Sequence, residues 1–198
     1  MKRGLFGGSF DPPHVGHLMI AEVARETLQL DVVDFIPASI PPHKAQQRLQ
    51  PATLRVRMLQ AAVGAFPYFR VCTMELDRQG VSYTIDTVRD IARRGSDDEL
   101  FLLVGADMLQ DLPHWKEAAV LLSMVTVIAA PRTGVDLGAA AEGLTQTYAD
   151  ARIVRLAMPE LDISSTWLRE RMVKRLRVDP LLPPGVAELI AREGGYAP

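Results

Sequence analysis

Residues 100–104 read LFLLV, five consecutive apolar residues with charge before them and a glycine after them. Alternating polar and apolar residues would indicate a strand with one solvent-exposed face, whereas a continuous apolar run is typical of a strand covered on both faces. Residues 124–130 repeat this pattern and stop at Pro131. Both runs therefore predict strands in the middle of a parallel sheet.

Strand and helix patterns alternate along the rest of the chain. Further strands are predicted at residues 3–6, 32–36, 69–76 and 152–157. Helices are predicted at residues 15–28, 54–66, 82–94, 135–149, 164–174 and 184–192, and a proline-rich loop at 38–51. Because the alternation has no break in composition, we expect a single α/β domain over residues 1–198, a doubly wound, Rossmann-like parallel sheet with helices on both faces. Ligands of such sheets bind at the carboxyl ends of the strands, near the point where the strand order reverses.

The composition excludes several classes of protein. The chain has 198 residues, and its 22 basic and 24 acidic side chains give a net charge of −2, which argues against binding to nucleic acid or to an anionic membrane. A single cysteine, Cys72, rules out an internal disulfide and fits a reducing compartment. No secretory leader is recognisable, and the apolar segment 118–130 is too short to span a bilayer. We therefore expect a cytoplasmic protein.

The first segment with chemical content is GGSFDPPHVGH, residues 7–17. Two glycines after a strand allow close backbone approach to a ligand, although neither a P-loop nor a dinucleotide fingerprint is present. His14 and His17 lie three residues apart, on one face of a helix that begins near His14, where they can donate to phosphate oxygens. Alternatively, His14 caps a turn and His17 is a surface residue. A metal held by the two histidines would lack a third ligand nearby, so no protein-bound metal is predicted.

Two further segments follow predicted strands. Residues 41–44 read PPHK, and Lys44 is a mobile point charge that could reach a polyphosphate, although a solvated loop has the same appearance. Residues 105–107 read GAD, and Asp107 could bind ribose hydroxyls or cap a helix. Trp115, followed by Lys116, offers a flat face for an aromatic ring but could equally belong to the core.

The fourth segment, ISSTWLR at residues 163–169, opens a helix with three hydroxyls where one would suffice as a cap. Arg169 lies early in that helix, where the helix dipole opposes a cation unless an anion joins it. The pattern indicates a phosphate site or, alternatively, an over-capped surface helix. Residues 82–84, SYT, are by themselves an ordinary cap. All four histidines and both tryptophans lie in or beside these segments, which favours a functional role for them.

Taken together, these motifs resemble those of the bacterial nicotinate-nucleotide adenylyltransferases, of the nucleotidyltransferase superfamily. Residues 7–17 are similar to the signature GG-[ST]-FDP-x-H-x-GH, and residues 163–169 to ISST-x-[IL]-R. PPHK at 41–44, SYTIDT at 82–87 and the Trp115-Lys116 pair make the resemblance specific to this family. It extends from residue 4 to about residue 196.

The resemblance implies an enzyme of NAD biosynthesis that transfers the AMP moiety of ATP to nicotinate mononucleotide, giving nicotinate adenine dinucleotide and pyrophosphate. The attack is direct, without a covalent enzyme intermediate. Catalytic roles are implied for His14, His17, Lys44 and Arg169. ATP contacts are implied for Gly7, Gly8, Ser9, Phe10, His14, His17, Gly105, Asp107, Ile163, Ser165, Thr166 and Arg169. Contacts to nicotinate mononucleotide are implied for Ser9, Lys44, Thr84, Asp107, Trp115 and Lys116. Mg²⁺ would be carried with ATP.

Other functions remain open from the sequence. A nicotinamide-specific or dual-specific adenylyltransferase would differ only in recognising an amide, which backbone N–H groups can do without a sequence signature. Pantetheine-phosphate adenylyltransferase is disfavoured, since threonine is more typical there at the position of His14. A non-catalytic nucleotide sensor would show erosion at His14, His17 or Arg169. The sequence also leaves open whether the chain forms a homo-oligomer, and residues 132–150 show no interpretable chemistry.

Overall fold

A computed structural model describes residues 1–40, 49–78, 80–95, 97–193 and 195–196. Its strands are β1 (Lys2–Gly8), β2 (Val32–Pro37), β3 (Phe69–Val71), β4 (Glu99–Gly105), β5 (Thr126–Ala130) and β6 (Arg152–Arg155). They form one sheet in the order β3-β2-β1-β4-β5-β6, and every neighbouring pair is parallel. This is the expected doubly wound α/β fold, with the strand order reversing between β1 and β4.

The helices connect successive strands and cover both faces of the sheet. They are α1 (Val15–Leu28), α2 (Ala52–Val63), α3 (Met74–Arg78), α4 (Thr84–Arg94), α5 (Ala106–Asp111), α6 (Ala118–Met124), α7 (Leu137–Thr147), α8 (Ser165–Val173) and α9 (Pro184–Glu193). Short 3₁₀ turns occupy Leu112–His114 and Asp179–Leu181. Among the described residues, no helix is long and apolar enough to cross a membrane.

The apolar run of β4 contributes to a core on each side of the sheet. Phe101 and Leu103 pack with buried residues of α1, α2 and α9. Leu102 and Val104 pack on the opposite face with buried residues of α4, α6 and α7. Since successive side chains of a strand point to opposite faces, a strand covered on both sides has to be apolar throughout. The prediction from residues 100–104 is confirmed.

The register of the central strands brings several loops to one edge of the sheet. Gly8 at the end of β1 pairs with Pro37 of β2, and Gly105 at the end of β4 pairs with Ala130 of β5. The loops after β1, β4 and β5 therefore leave the sheet side by side. This edge, next to the strand-order reversal, is where a ligand site was expected.

The predicted strand at residues 69–76 is too long. β3 ends at Val71, and residues 74–78 form α3 instead. β3 is an edge strand that pairs only with β2, so nothing on its outer side prolongs it. Thr73 then starts the helix, because its carbonyl accepts from the N–H of Asp77 and its hydroxyl donates to the Asp77 carboxylate at 3.0 Å.

Several other boundaries differ from the prediction by a few residues: α4 is Thr84–Arg94, α7 is Leu137–Thr147 and β6 ends at Arg155. Met124 ends α6 and does not open β5, because apolar residues continue from the helix into the strand, so no change in hydropathy marks the junction. α5 and α6 themselves were not predicted. α2 ends at Val63, three residues earlier than expected, and Gly64 caps it by donating its N–H to the carbonyl of Gln60. The predicted helix at residues 15–28 is confirmed at both ends.

Candidate active site

A cleft of about 690 Å³ lies at the carboxyl edge of the sheet, above β1, β4 and β5. Its floor is formed by the last residues of these strands, Gly7, Gly8, Val104, Gly105 and Ala130. The N-terminal ends of α1, α4 and α8 contribute His14, Thr84 and Ser165 to its walls. Three helix N-termini at one cleft give it a positive field, which suits an anionic ligand.

His14 and His17 lie at the start of α1, on one face of its first turn. The N–H of His14 donates to Nδ1 of His17 at 3.2 Å, and the N–H of His17 donates to the carbonyl oxygen of His14 at 3.0 Å. A ring nitrogen that accepts a hydrogen bond carries no proton, so neutral His17 holds its proton on Nε2. His17 therefore has an N–H donor on a ring that lines the cleft.

His14 is buried, with 5% of its surface exposed. Burial, together with the smaller effect of the positive charge of Arg132, lowers its pKa to about 4. His14 is therefore neutral at physiological pH. Its Nδ1 has no hydrogen-bond partner among the residues that the structure describes. His14 thus enters the site as a neutral imidazole, and it occupies the N-cap position of α1 although its side chain makes no cap hydrogen bond.

The glycine of the H-x-G-H motif is required by close packing. A β-carbon at Gly16 would lie 2.8 Å from Cγ2 of Ile163 and 3.0 Å from Nδ1 of His14. Ile163 belongs to the segment that leads into α8, so only glycine lets the start of α1 approach that segment. The two motifs, about 150 residues apart in sequence, meet at this contact.

The start of α8 is joined to the loop between β1 and α1. Ser164 caps the helix by accepting from the N–H of Trp167 at 3.2 Å. Ser165 donates its hydroxyl to the carbonyl oxygen of Pro12 at 2.8 Å. Arg169 donates to the carbonyl oxygen of Asp11 at 2.7 Å and to the hydroxyl of Thr166 at 3.2 Å. These side chains therefore brace the loop, and the cation early in α8 is stabilised by a backbone carbonyl.

A second region of the cleft lies between α4 and the segment after α5. Trp115 is half-buried, lines the cleft and donates its indole N–H to Asp111 at 3.1 Å. Lys116 lies 4.7 Å from the ring centre of Tyr83 and pairs with Asp86 at 3.0 Å. Thr84 is the first residue of α4, so the partial positive charge of that helix is directed at the same region.

Asp107 is paired with Arg132. Arg132 donates to its carboxylate at 3.2 Å, and each side chain is about two-fifths exposed, at 43% and 40%. The two residues meet because β4 and β5 are neighbours and both end at this edge of the sheet. Since the pair is open to water, its contribution to stability is small, and a ligand hydroxyl or phosphate can replace either partner.

A buried carboxylate also lines the cleft. Glu75 on α3 is 7% exposed and accepts the hydroxyl of Thr87 on α4 at 2.7 Å. Arg78 donates to the same hydroxyl at 2.7 Å and to Asp90 at 3.0 Å. This cluster fixes the first turns of α4 against α3, and so it fixes the position of Thr84.

The cleft brings together most of the side chains expected from the sequence. Those lining it are Gly7, Gly8, Ser9, His14, His17, Thr84, Gly105, Asp107, Trp115, Lys116, Ile163, Ser165 and Thr166. Phe10 and Arg169 are not among them. The ring of Phe10 is 1% exposed and packs in the core against Phe6 and Phe35, so a ligand could contact only its backbone. Lys44 and the PPHK loop fall in residues 41–48, outside the described part of the chain.

Arg132 and Glu75 were not identified from the sequence. Arg132 directly follows the buried strand β5 and Pro131, so the strand-end rule that selected Asp107 would have found it. The same rule could not have found Glu75, because residues 69–76 were predicted to form a strand and Glu75 therefore did not follow a strand end. Within the described ranges, no group of three or more His, Cys, Asp or Glu residues could hold a metal ion.

Comparison with known sequences places the chain among nucleotidyltransferases. Residues 5–171 match the family described as cytidylyltransferase-like. A protein of Shouchella clausii is 42% identical over 197 residues, which cover 99% of this chain and 97% of that one. A protein of Bacillus pumilus is 41% identical over 195 residues, which cover 98% of each chain. Both carry the name "probable nicotinate-nucleotide adenylyltransferase".

Solved structures share the fold. Nicotinic acid mononucleotide adenylyltransferase of Plasmodium falciparum, complexed with NaAD, superimposes with a TM-score of 0.80 at 17% identity, covering 99% of this chain and 98% of that one. The same enzyme complexed with APC gives a TM-score of 0.78 at 16% identity, covering 98% and 96% of the two chains. At these identities the likeness establishes the architecture, and the sequence relatives establish the family.

Proposed function

Because the chain belongs to the cytidylyltransferase-like family and, within it, to the nicotinate-nucleotide adenylyltransferases, we propose that it transfers the adenylyl group of ATP to nicotinate mononucleotide. The products are nicotinate adenine dinucleotide and pyrophosphate. One observation carries the proposal. His14, His17 and the N-termini of α1 and α8 line a single cleft next to the strand-order reversal, and Trp115 lines the same cleft.

The reaction depends on aligning the two phosphate groups and stabilising their charge more than on a general base. The attacking group is a phosphate oxygen of the mononucleotide, which is already largely ionised at neutral pH, so no proton has to be removed from it. It forms a bond to the α-phosphorus of ATP while the bond from that phosphorus to the bridging oxygen of pyrophosphate breaks. The enzyme must hold both phosphates in line and offset their charge.

The described residues supply these functions. Nε2–H of His17 and the N-termini of α1 and α8 are positioned as donors to the triphosphate, and they are held in place before the substrate arrives. Arg132 adds a cation at the edge of the cleft. Asp107, released from Arg132, would accept from ribose hydroxyls. Lys44 stays a prediction, and so do the roles of Ser165, Thr166 and Arg169 at the triphosphate.

The other half of the cleft fits the pyridine ring of the mononucleotide. Trp115 offers a face for stacking, while Thr84 and the start of α4 supply partial positive charge. Lys116 brings a full charge to the same region. Lys116 is paired with Asp86, so the positive end of α4 is what favours the carboxylate of nicotinate over the neutral amide of nicotinamide, and it supports nicotinate mononucleotide as the substrate.

Three further proposals accompany this function. Mg²⁺ enters with ATP as part of that substrate and offsets charge on the triphosphate, so turnover should cease when the ion is chelated and resume when it is restored. The partners are the two nucleotides rather than nucleic acid, in keeping with the net charge of −2. A cytoplasmic location is supported by the single cysteine.

The test is a parallel assay with ATP and Mg²⁺ in which nicotinate mononucleotide, nicotinamide mononucleotide and phosphopantetheine are offered separately. Dinucleotide and pyrophosphate are followed together. Turnover of the nicotinate form at least 100-fold above the others supports the proposal. Equal turnover of both mononucleotides makes the enzyme dual-specific, and ATP binding without turnover of any acceptor indicates a nucleotide sensor.

A further inference from the structure

Asp11 lies in the loop between β1 and α1, and its carboxylate is buried, with 1% of the residue exposed. The hydroxyl of Tyr196, close to the C-terminus, donates to Oδ1, and the backbone N–H of Gln50 donates to Oδ2 at 3.2 Å. A buried carboxylate is stable only when such donors surround it. The last residues of the chain thus hold a residue of the first motif, 185 positions away.

Arg55 on α2 supports the same loop from below. It is 2% exposed, and it donates to the carbonyl oxygen of Ser9 at 2.9 Å and to that of Gln50 at 3.2 Å. Its positive charge also faces Asp11 and Tyr196. Arg55 and Asp11 are therefore buried groups of opposite charge that interact beside the loop.

The remaining carbonyls of the loop are held from α8. Arg169 binds the carbonyl of Asp11, and Ser165 binds that of Pro12. The loop is therefore fixed from α2, α8 and the C-terminal segment, and it runs directly into His14 three residues later. A shift of Asp11 would move the start of α1, and with it both histidines of the cleft.

We propose that Tyr196 is a positioning residue for adenylyl transfer: its hydroxyl fixes the Asp11 carboxylate, which aligns the loop from Ser9 to His14 for the triphosphate. Tyr196 does not line the cleft, so it acts through Asp11 and not on the substrate. The inference rests on the proposed function for its kinetic consequence, while the hydrogen bond itself is independent of it.

Tyr196→Phe tests this inference, because it keeps the buried ring and removes only the donor. The expected result is a fall of at least tenfold in kcat/KM for ATP and a similar weakening of ATP affinity by calorimetry. KM for nicotinate mononucleotide should change less than kcat/KM for ATP, because only Ser9, among the groups expected to contact that substrate, belongs to the loop, while Trp115 and α4 lie apart from it. Misplacement of a reacting group by a fraction of an ångström is enough for such losses.

Two control variants separate positioning from stability. Tyr68→Phe makes the same chemical change at a half-buried tyrosine that does not line the cleft. Leu144→Ala removes buried apolar volume from α7, in the core on the opposite face of the sheet from Tyr196. Both should retain wild-type kcat/KM for ATP at temperatures where they are folded.

The outcomes distinguish a positioning role of Tyr196 from a purely structural one. Wild-type kinetics and ATP affinity in Tyr196→Phe would overturn the inference and leave Tyr196 a purely structural residue, as would an equal kinetic loss in Leu144→Ala. If the wild type itself fails to use any mononucleotide, the proposed function fails. In that case the ATP affinities of Tyr196→Phe and Tyr68→Phe still decide whether the C-terminal tyrosine positions the loop.

Discussion

The imidazole rings of His14 and His17 are stacked, with their centroids 3.7 Å apart and their planes inclined by 27°. Two cations would repel each other strongly at this distance, so the arrangement favours neutral rings. The backbone N–H of His14 donates to Nδ1 of His17, which fixes the ring of His17 at the start of α1, and the ring of His14 is held by burial and by the stacking. The motif therefore presents uncharged donors that are already aligned, and its positive field comes from helix termini and Arg132.

His17→Asn should lower kcat at least 100-fold, in line with the roughly 100- to 1000-fold loss on removing one preorganised donor from a transition state. Asparagine is chosen because its side-chain oxygen can take the place of Nδ1 and accept from the N–H of His14, while nothing replaces Nε2. Steady-state kinetics measure the effect. The unfolding free energy, from urea titration, should stay within about 1 kcal/mol of the wild type. Near-normal turnover would remove Nε2 of His17 from the mechanism.

His14 should make the protein less stable at acidic pH. Its folded-state pKa of about 4 lies below the unfolded value of 6.5, so below pH 6.5 the unfolded chain binds a proton that the folded chain does not. The stabilisation is complete above pH 6.5 and is lost as the pH falls towards about 4. The loss is about 1.4 kcal/mol per pH unit in that window, or roughly 3 kcal/mol in total.

His14→Asn is the matched variant for this titration, since asparagine also caps helices well. Urea unfolding at pH 7.5 and pH 4.5 should show a smaller acid loss in the variant than in the wild type, by about 2–3 kcal/mol. Carboxylates that titrate in the same range are common to both proteins and cancel in the difference. Equal acid losses would mean that His14 is charged in the folded protein.

Trp115→Ala should raise KM for nicotinate mononucleotide about 10- to 100-fold, because stacking of a base on an aromatic side chain contributes roughly 1–3 kcal/mol. KM for ATP and kcat should change much less. Trp115→Phe keeps a ring but loses the bond to Asp111, and an intermediate KM is expected for it. Trp167→Ala is the control, since Trp167 is 41% exposed and does not line the cleft. An unchanged KM in Trp115→Ala would exclude stacking.

The sequence predicted those parts of the fold that local patterns encode. The run at residues 100–104 identified a strand buried on both faces, and the periodicity of residues 15–28 gave both ends of α1. The strand predicted at residues 69–76 was too long, because the length of an edge strand depends on its pairing with its neighbour, here β2, and no local sequence pattern records that pairing. The junction at Met124 could not be predicted because apolar residues lie on both sides of it.

The candidate site was predictable in the same limited sense. Motif residues after strands were found because the carboxyl ends of parallel strands share one edge of the sheet. Asp11 lay within the first motif, but its contact with Tyr196 spans 185 positions and leaves no sequence pattern. Arg169 was expected at a triphosphate, whereas its bond to the carbonyl of Asp11 depends on how α8 packs beside the loop.

Gly16→Ala should damage both stability and activity, although alanine is the better helix former. The added carbon would meet Ile163 at 2.8 Å and His14 at 3.0 Å, so either α1 or the segment before α8 must move. Overpacking of this kind costs about 1–3 kcal/mol. We expect a loss of unfolding free energy in that range, together with a fall in kcat of at least tenfold as His14 is displaced.

Ile163→Ala, alone and combined with Gly16→Ala, separates the two contacts. It removes Cγ2 of Ile163, so the double variant should be at least 1 kcal/mol more stable than the sum of the two single losses predicts. The contact with His14 remains in the double variant, so kcat should stay as low as in Gly16→Ala. Recovery of stability without recovery of kcat would show that Gly16 protects the position of His14 independently of the packing against Ile163. If kcat recovers together with stability, the loss of activity came only from the displaced segment before α8.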